Sequence, residues 1–184
     1  METLPSTVIT DLDFNLENTM VDVVATKNIQ DLDLVGVKIG THSAGDEFQV
    51  RRWVAEQLKD AETVRLKDEE IMDLRSLQKI QWIETSLQTG RRISELPEMF
   101  YPKLRRYIHQ LQEKEMHSEL NQALRLSNDV VNSRLNRVIN LSSTSPITNA
   151  MIRNLTDEEK GLCESLSKII FDWREKILQS EVLG

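Results

Sequence analysis

A single change of period constrains this chain more than any other feature. Between Val21 and Leu66 the apolar residues fall in short, β-branched, interrupted runs. From Asp68 onward they recur at steps of three and four, the spacing of one face of an α-helix. The expected architecture is therefore α+β and predominantly α. A small β-rich domain over residues 1–66, with one short helix, should precede a helical bundle of about four helices over 67–184.

In the first region, strands are predicted at Val21–Thr26, Leu34–Ile39, around Phe48 and Val50, and at Thr63–Leu66. The dense turn signal Gly40-Thr41-His42-Ser43-Ala44-Gly45-Asp46 separates the second from the third. Trp53, Val54 and Leu58 take helical spacing and should form the small domain's core side of that helix. The first 20 residues show few apolar positions in phase and are read as irregular or as an additional strand.

In the second region, Ile71, Leu74, Leu77, Ile80 and Leu87 form one stripe. Phe100, Leu104, Tyr107, Ile108 and Leu111 form another, and Leu120, Leu124, Val131, Leu135 and Val138 a third. Gly90, Ser94 and Pro97 break the chain between the first two, and Ser142–Pro146 ends the third. The last helix should open at Thr156, where Glu159 can complete a capping box and three acids complement the helix dipole. Its stripe is Leu162, Leu166, Ile169, Ile170, Trp173 and Ile177.

Six glycines and four prolines leave little room for long loops. One cysteine, Cys163, cannot form an internal disulfide, and without a cationic, apolar leader the expectation is a cytoplasmic protein. No apolar run approaches the ~20 residues of a membrane span. The net charge of −7 is concentrated at the front, where residues 1–66 hold 6 Lys/Arg against 12 Asp/Glu. Such a surface opposes strong independent DNA binding, and 5% aromatics argue against a base-stacking platform.

No catalytic, cofactor-binding or metal-binding constellation emerges. Gly36, Gly40 and Gly45 lack the spacing and lysine of a phosphate loop. His109 and His117 are out of phase for a shared metal. His42, near Asp46 and Glu47, reads as a solvated loop histidine, and Asp11/Asp13 and Asp31/Asp33 as solvated edges. Cys163 reads as a structural thiol. Arg51-Arg52, Arg91-Arg92, Arg105-Arg106 and the loose set Arg125, Arg134 and Arg137 read as salt-bridged, solvated faces. What the stripes do imply is association, because long helices beside only a small domain leave a flank for another chain.

Three segments carry a family resemblance. Gly45–Leu58 followed by Thr63–Leu66 resembles the small β domain of GINS replication-complex subunits. Leu96-Pro97-Glu98-Met99-Phe100-Tyr101, continuing to Ile108, is similar to the family's Leu-Pro-x-x-Phe-Tyr helix opening. Leu155-Thr156-Asp157-Glu158-Glu159-Lys160 and the Trp173-Arg174 region resemble its last bundle helix. The order, β domain before helices, resembles the archaeal subunit of that arrangement.

The resemblance implies a non-catalytic subunit without cofactors in a complex of four chains, with another GINS subunit as partner. It further implies contacts with the MCM helicase and a RecJ-like protein, and a place on the chromosome at replication forks. Phe100, Tyr101, Leu104, Tyr107, Ile108 and Trp173 are the expected bundle or subunit-interface residues. On the residues alone, a stand-alone helical protein-interaction adaptor, for example in transcription, is the alternative. A metal-binding helical enzyme using His109 and His117 is a remoter one.

Overall fold

The computed structural model describes residues 5–34, 36–67, 72–86, 93–144 and 148–179, and these are predominantly helical. The chain divides into two compact units: Leu12–Met72, and Asp73–Gly184 together with Met1–Asp11. Seven helices and five strands occur among the described residues. The expected linker around 66–69 falls largely outside them, as do Ile71, Leu87, Gly90 and Arg91-Arg92.

Residues read as irregular or strand form helix α1 (Pro5–Asn18) instead. The missed signal is Val8, Leu12 and Leu16, spaced four apart, of which Leu16 is buried. Asp11 and Asp13 accordingly lie on a helix, two residues apart and so not on one face.

The small unit is a three-stranded antiparallel sheet of order β4-β1-β5, with β1 Met20–Ala25, β4 Glu47–Arg51 and β5 Val64–Leu66. Val21 faces Val50, and Val23 faces Phe48 on one side and Leu66 on the other. The run Leu34–Ile39, expected as one strand, is a hairpin of β2 (Leu32–Leu34) and β3 (Val37–Ile39). Leu34 pairs with Val37. Gly36, at φ +86, supplies the left-handed conformation that so tight a reversal needs.

Helix α2 (Arg52–Asp60) buries Val54, Ala55 and Leu58, while Trp53 is half-buried against the same core. That core is aliphatic: Val21, Val23, Ile29, Ile39, Val50, Val64 and Leu66 complete it. His42 is only partly solvated. It is half-buried and its ring stacks on Phe48 with centroids 3.8 Å apart.

The helical unit contains α3 (Leu74–Ser86), α4 (Phe100–Glu113), α5 (His117–Ser142), the short α6 (Asn149–Ile152) and α7 (Asp157–Gln179). Helix α5 packs against α3, α4 and α7. Its buried face is Ala123, Leu126, Ser127, Val130, Arg134, Val138 and Leu141. Of the stripe expected from sequence, Val138 is buried and Leu120 half-buried, but Leu124, Val131 and Leu135 are 37–38% exposed. A reading that weights large apolar residues passes over Ala123, Ser127 and Arg134, so it places the buried face about one residue step around the helix.

Candidate assembly surface and its buried ionic centre

Helix α7 begins as expected. The Thr156 backbone N–H donates to Glu159 Oε2 (3.0 Å), and the Glu159 N–H donates to Thr156 Oγ1 (3.3 Å). These reciprocal bonds satisfy two of the donors that a helix N-terminus leaves open. One turn on, Cys163 is buried with Val138, Leu141 and Leu155, and half-buried Leu162 and Leu166 pack against them. Ser142 Oγ lies 3.4 Å from the Cys163 sulfur, which fits the structural reading of that thiol.

The distal half of the helix behaves differently. From Lys168 to Leu178 every residue is exposed except half-buried Ile170. Ile169 (63%), Phe171 (60%), Trp173 (62%), Ile177 (51%) and Leu178 (66%) all stand open to solvent. Leu166, Ile170, Trp173 and Ile177 follow the three- and four-residue steps of one helix face, so the stripe that begins in the core runs on uncovered. Ile169, Trp173 and Ile177 lie within about 80° of one another on this face, whereas Phe171 and Leu178 lie on the opposite side, so the distal helix is apolar and open on two sides.

At the opposite end of α7, around its first turn, lies a charged centre whose Arg134 and Arg137 were expected on solvated faces. Arg134 is 1% exposed and Glu84 0%. Arg134 Nε donates to Glu159 Oε1 (2.8 Å) and Nη2 to Glu159 Oε2 (2.5 Å), a bidentate fork. Its Nη1 donates to Glu84 Oε1 (3.1 Å) and to the Ser94 carbonyl (2.6 Å), and Nη2 to the Asn154 carbonyl (3.0 Å). All five guanidinium N–H donors therefore have acceptors.

Arg137 donates from Nη1 to the other oxygen of Glu84 (2.7 Å) and from Nη2 to the Glu84 carbonyl (2.9 Å). Ser94 Oγ also donates to Glu84. Two arginines thus balance two glutamates. Burial alone would pull the Arg134 pKa down, but the hydrogen bond and charge of Glu159, then the charge of Glu84, outweigh it and raise the value.

Tyr101 belongs to this centre: its hydroxyl donates to Glu159 Oε1 (2.7 Å). Burial and then the Glu159 charge push the phenol well above its ordinary range. Tyr107, itself buried, donates to Glu119 Oε1 (2.6 Å), and its phenol is raised by burial first and by that bond second. Phe100 and Leu104 are buried in the bundle, and Ile108 is half-buried. The structure thus separates the six expected residues. Five lie on α4 within or beside the packed bundle, and Trp173 alone lies on the open surface.

Arg52 is likewise buried, at 3% exposure, against the expectation of a solvated face. His109 lies on α4, where Glu113 is 3.4 Å from its Nδ1, and His117 begins the next helix. Among the described residues no group of three His, Cys, Asp or Glu is placed to hold a metal ion. None of the helices searched is long and apolar enough to cross a membrane.

Large apolar side chains exposed along a long helix suit packing against another chain. Residues 71–178, more than half of the chain, match the family model described as Sld5: GINS complex protein helical bundle domain. The chain belongs to the GINS family. No curated protein matches it. GINS subunits are non-catalytic scaffold proteins of DNA replication, and their partners are other GINS subunits. The small β unit lies ahead of the matched residues.

Proposed function

We propose that this chain is the archaeal type of GINS subunit whose small β domain precedes its helical domain, and that it assembles with a second GINS subunit into a four-chain scaffold. The scaffold binds and stimulates the MCM helicase together with a RecJ-like protein, at replication forks on the chromosome in the cytoplasm. The observation that carries the assembly reading is the apolar distal half of α7, centred on Trp173. Phe100, Tyr101, Leu104, Tyr107 and Ile108, with Trp173, are the bundle or subunit-interface residues of this reading. Trp53, Val54 and Leu58 hold the small domain together, leaving its acidic exterior for a basic partner.

Light scattering of the purified chain, alone and mixed with a candidate GINS partner subunit and then with MCM, tests the reading. The expected result is a complex of about four chains that binds MCM, and Trp173→Ser should weaken the assembly at least tenfold without changing helical content. A chain that stays monomeric and ignores both partners overturns the reading and favours a stand-alone adaptor.

A further inference from the structure

The Arg134 centre ties α5 to several other parts of the helical unit. Its bonds reach α3 through Glu84, the segment before α4 through Ser94, α4 through Tyr101, and the approach to α7 through Asn154. They reach α7 itself through Glu159. A second link ties the loops together, because Asn154 Nδ2 donates to the Ile93 carbonyl (2.8 Å).

Apolar packing tolerates small rotations and slides, because Leu against Leu is nearly as favourable a few ångströms along. A guanidinium with five directed bonds is not tolerant in this way. Any other placement of α3 or α7 on α5 strands a buried carboxylate or an arginine N–H. Apolar residues of similar volume would stabilise a bundle equally well, so stability alone does not account for four charges here.

We propose that the centre is a registry device: it selects one arrangement of α3, α4 and α7 around α5. Through Glu159, it fixes the direction in which the distal half of α7 leaves the bundle. That direction matters for assembly only if the assembly reading above is right. Arg134 is thus a positioning residue, acting on the partner surface through the helix that bears it.

Distances between spin labels in the free, full-length chain test the proposal without any partner. Labels are placed at the exposed positions Gln78 of α3 and Glu164 of α7, each changed to Cys, with buried Cys163 changed to Ala. With the centre intact, a single narrow distance distribution is expected. The variant Glu84→Leu/Arg134→Met/Glu159→Gln removes the three fully buried charges and leaves Arg137, at the rim, its bond to the carbonyl of residue 84, while its glutamine can still accept from Thr156 and Tyr101. It should keep its helical content and unfolding midpoint and show a distribution at least twice as broad, or a second peak.

Arg134→Lys keeps the charge but loses the fork, and should broaden the distribution to an intermediate degree. It decides the matter in the same way should the triple variant not fold. An unchanged narrow distribution in a folded variant overturns the proposal. Failure of the assembly reading would appear separately, as a chain that stays monomeric when mixed with its candidate partner, and would not touch the distance result.

Discussion

The two units of this protein solve the problem of a core by opposite means. The small unit buries Val21, Val23, Val54, Val64 and their neighbours in an aliphatic cluster, and its order comes from strand register. The helical unit places Arg134, Glu84 and Glu159 at its centre and leaves Ile169, Phe171, Trp173, Ile177 and Leu178 outside. In a sheet, sliding a strand by one residue flips every side chain to the wrong face, so pleat and hydrophobicity already specify the structure. Helices packed on aliphatic surfaces lack that digital check. Directional bonds at the centre supply it, and the apolar surface they displace is available for another chain.

The contrast is sharpest when each core loses one side chain. Arg134→Ala leaves buried Glu159 without its arginine fork and Glu84 with Arg137 alone, and should destabilise the chain by about 4 kcal/mol. Leu58→Ala in the small unit removes buried methyl groups and leaves a cavity, at a cost of about 3 kcal/mol. Urea unfolding measures both. The comparison breaks if Arg134→Ala costs no more than an ordinary surface substitution, within about 0.5 kcal/mol of zero.

What the sequence made legible follows the same division. Period alone located β1, β4, α2 and β5, because each buries residues whose type announces burial. It also located α3, α4, α5 and α7, but not the inward face of α5. There the buried positions include Ala123, Ser127 and Arg134, and only the phase they share with Val130, Val138 and Leu141 betrays them. A charged residue in step with an apolar stripe was the available signal for Arg134. Glu84 carried the same signal, in step with Leu77 and Ile80. Neither residue by itself names its partner, because the pairing spans 50 positions of sequence. The split of Leu34–Ile39 into a hairpin was hidden for another reason: Gly36 was the only turn residue in a run that otherwise reads as strand.

A gentler probe of the charged centre is alkaline pH. Tyr101 and Tyr107 keep their protons in the folded chain beyond the ordinary phenol value of 10.0. Above that pH the unfolded chain releases those protons while the folded one retains them. The unfolded state then binds fewer protons, and stability falls as pH rises. Tyr101→Phe should cost about 2 kcal/mol at neutral pH through loss of a bond to a charged acceptor, and should flatten the decline above pH 10. A variant with the alkaline slope of the parent would place the titration elsewhere.

The smallest effect concerns a device the two units share. Helix α2 ends with the Glu62 N–H donating to the Lys59 carbonyl (2.8 Å) and the Thr63 N–H to the Leu58 carbonyl (2.9 Å). Helix α4 ends with Glu115 N–H donating to Gln112 (3.1 Å) and Met116 N–H to Leu111 (3.0 Å). Both are Schellman closures, and both place a glutamate, at φ 54 and φ 53, where glycine is usual. A side chain in this left-handed region is strained, and glycine relieves the strain at some cost in unfolded-state entropy. Glu62→Gly and Glu115→Gly should therefore each stabilise the chain, by about 1 kcal/mol. The two motifs are alike in geometry, so equal gains would mean that helix ends in both units obey backbone sterics alone. A gain at Glu115 without one at Glu62 would assign real value to the Lys27 ion pair of Glu62, 3.8 Å long and exposed at both ends.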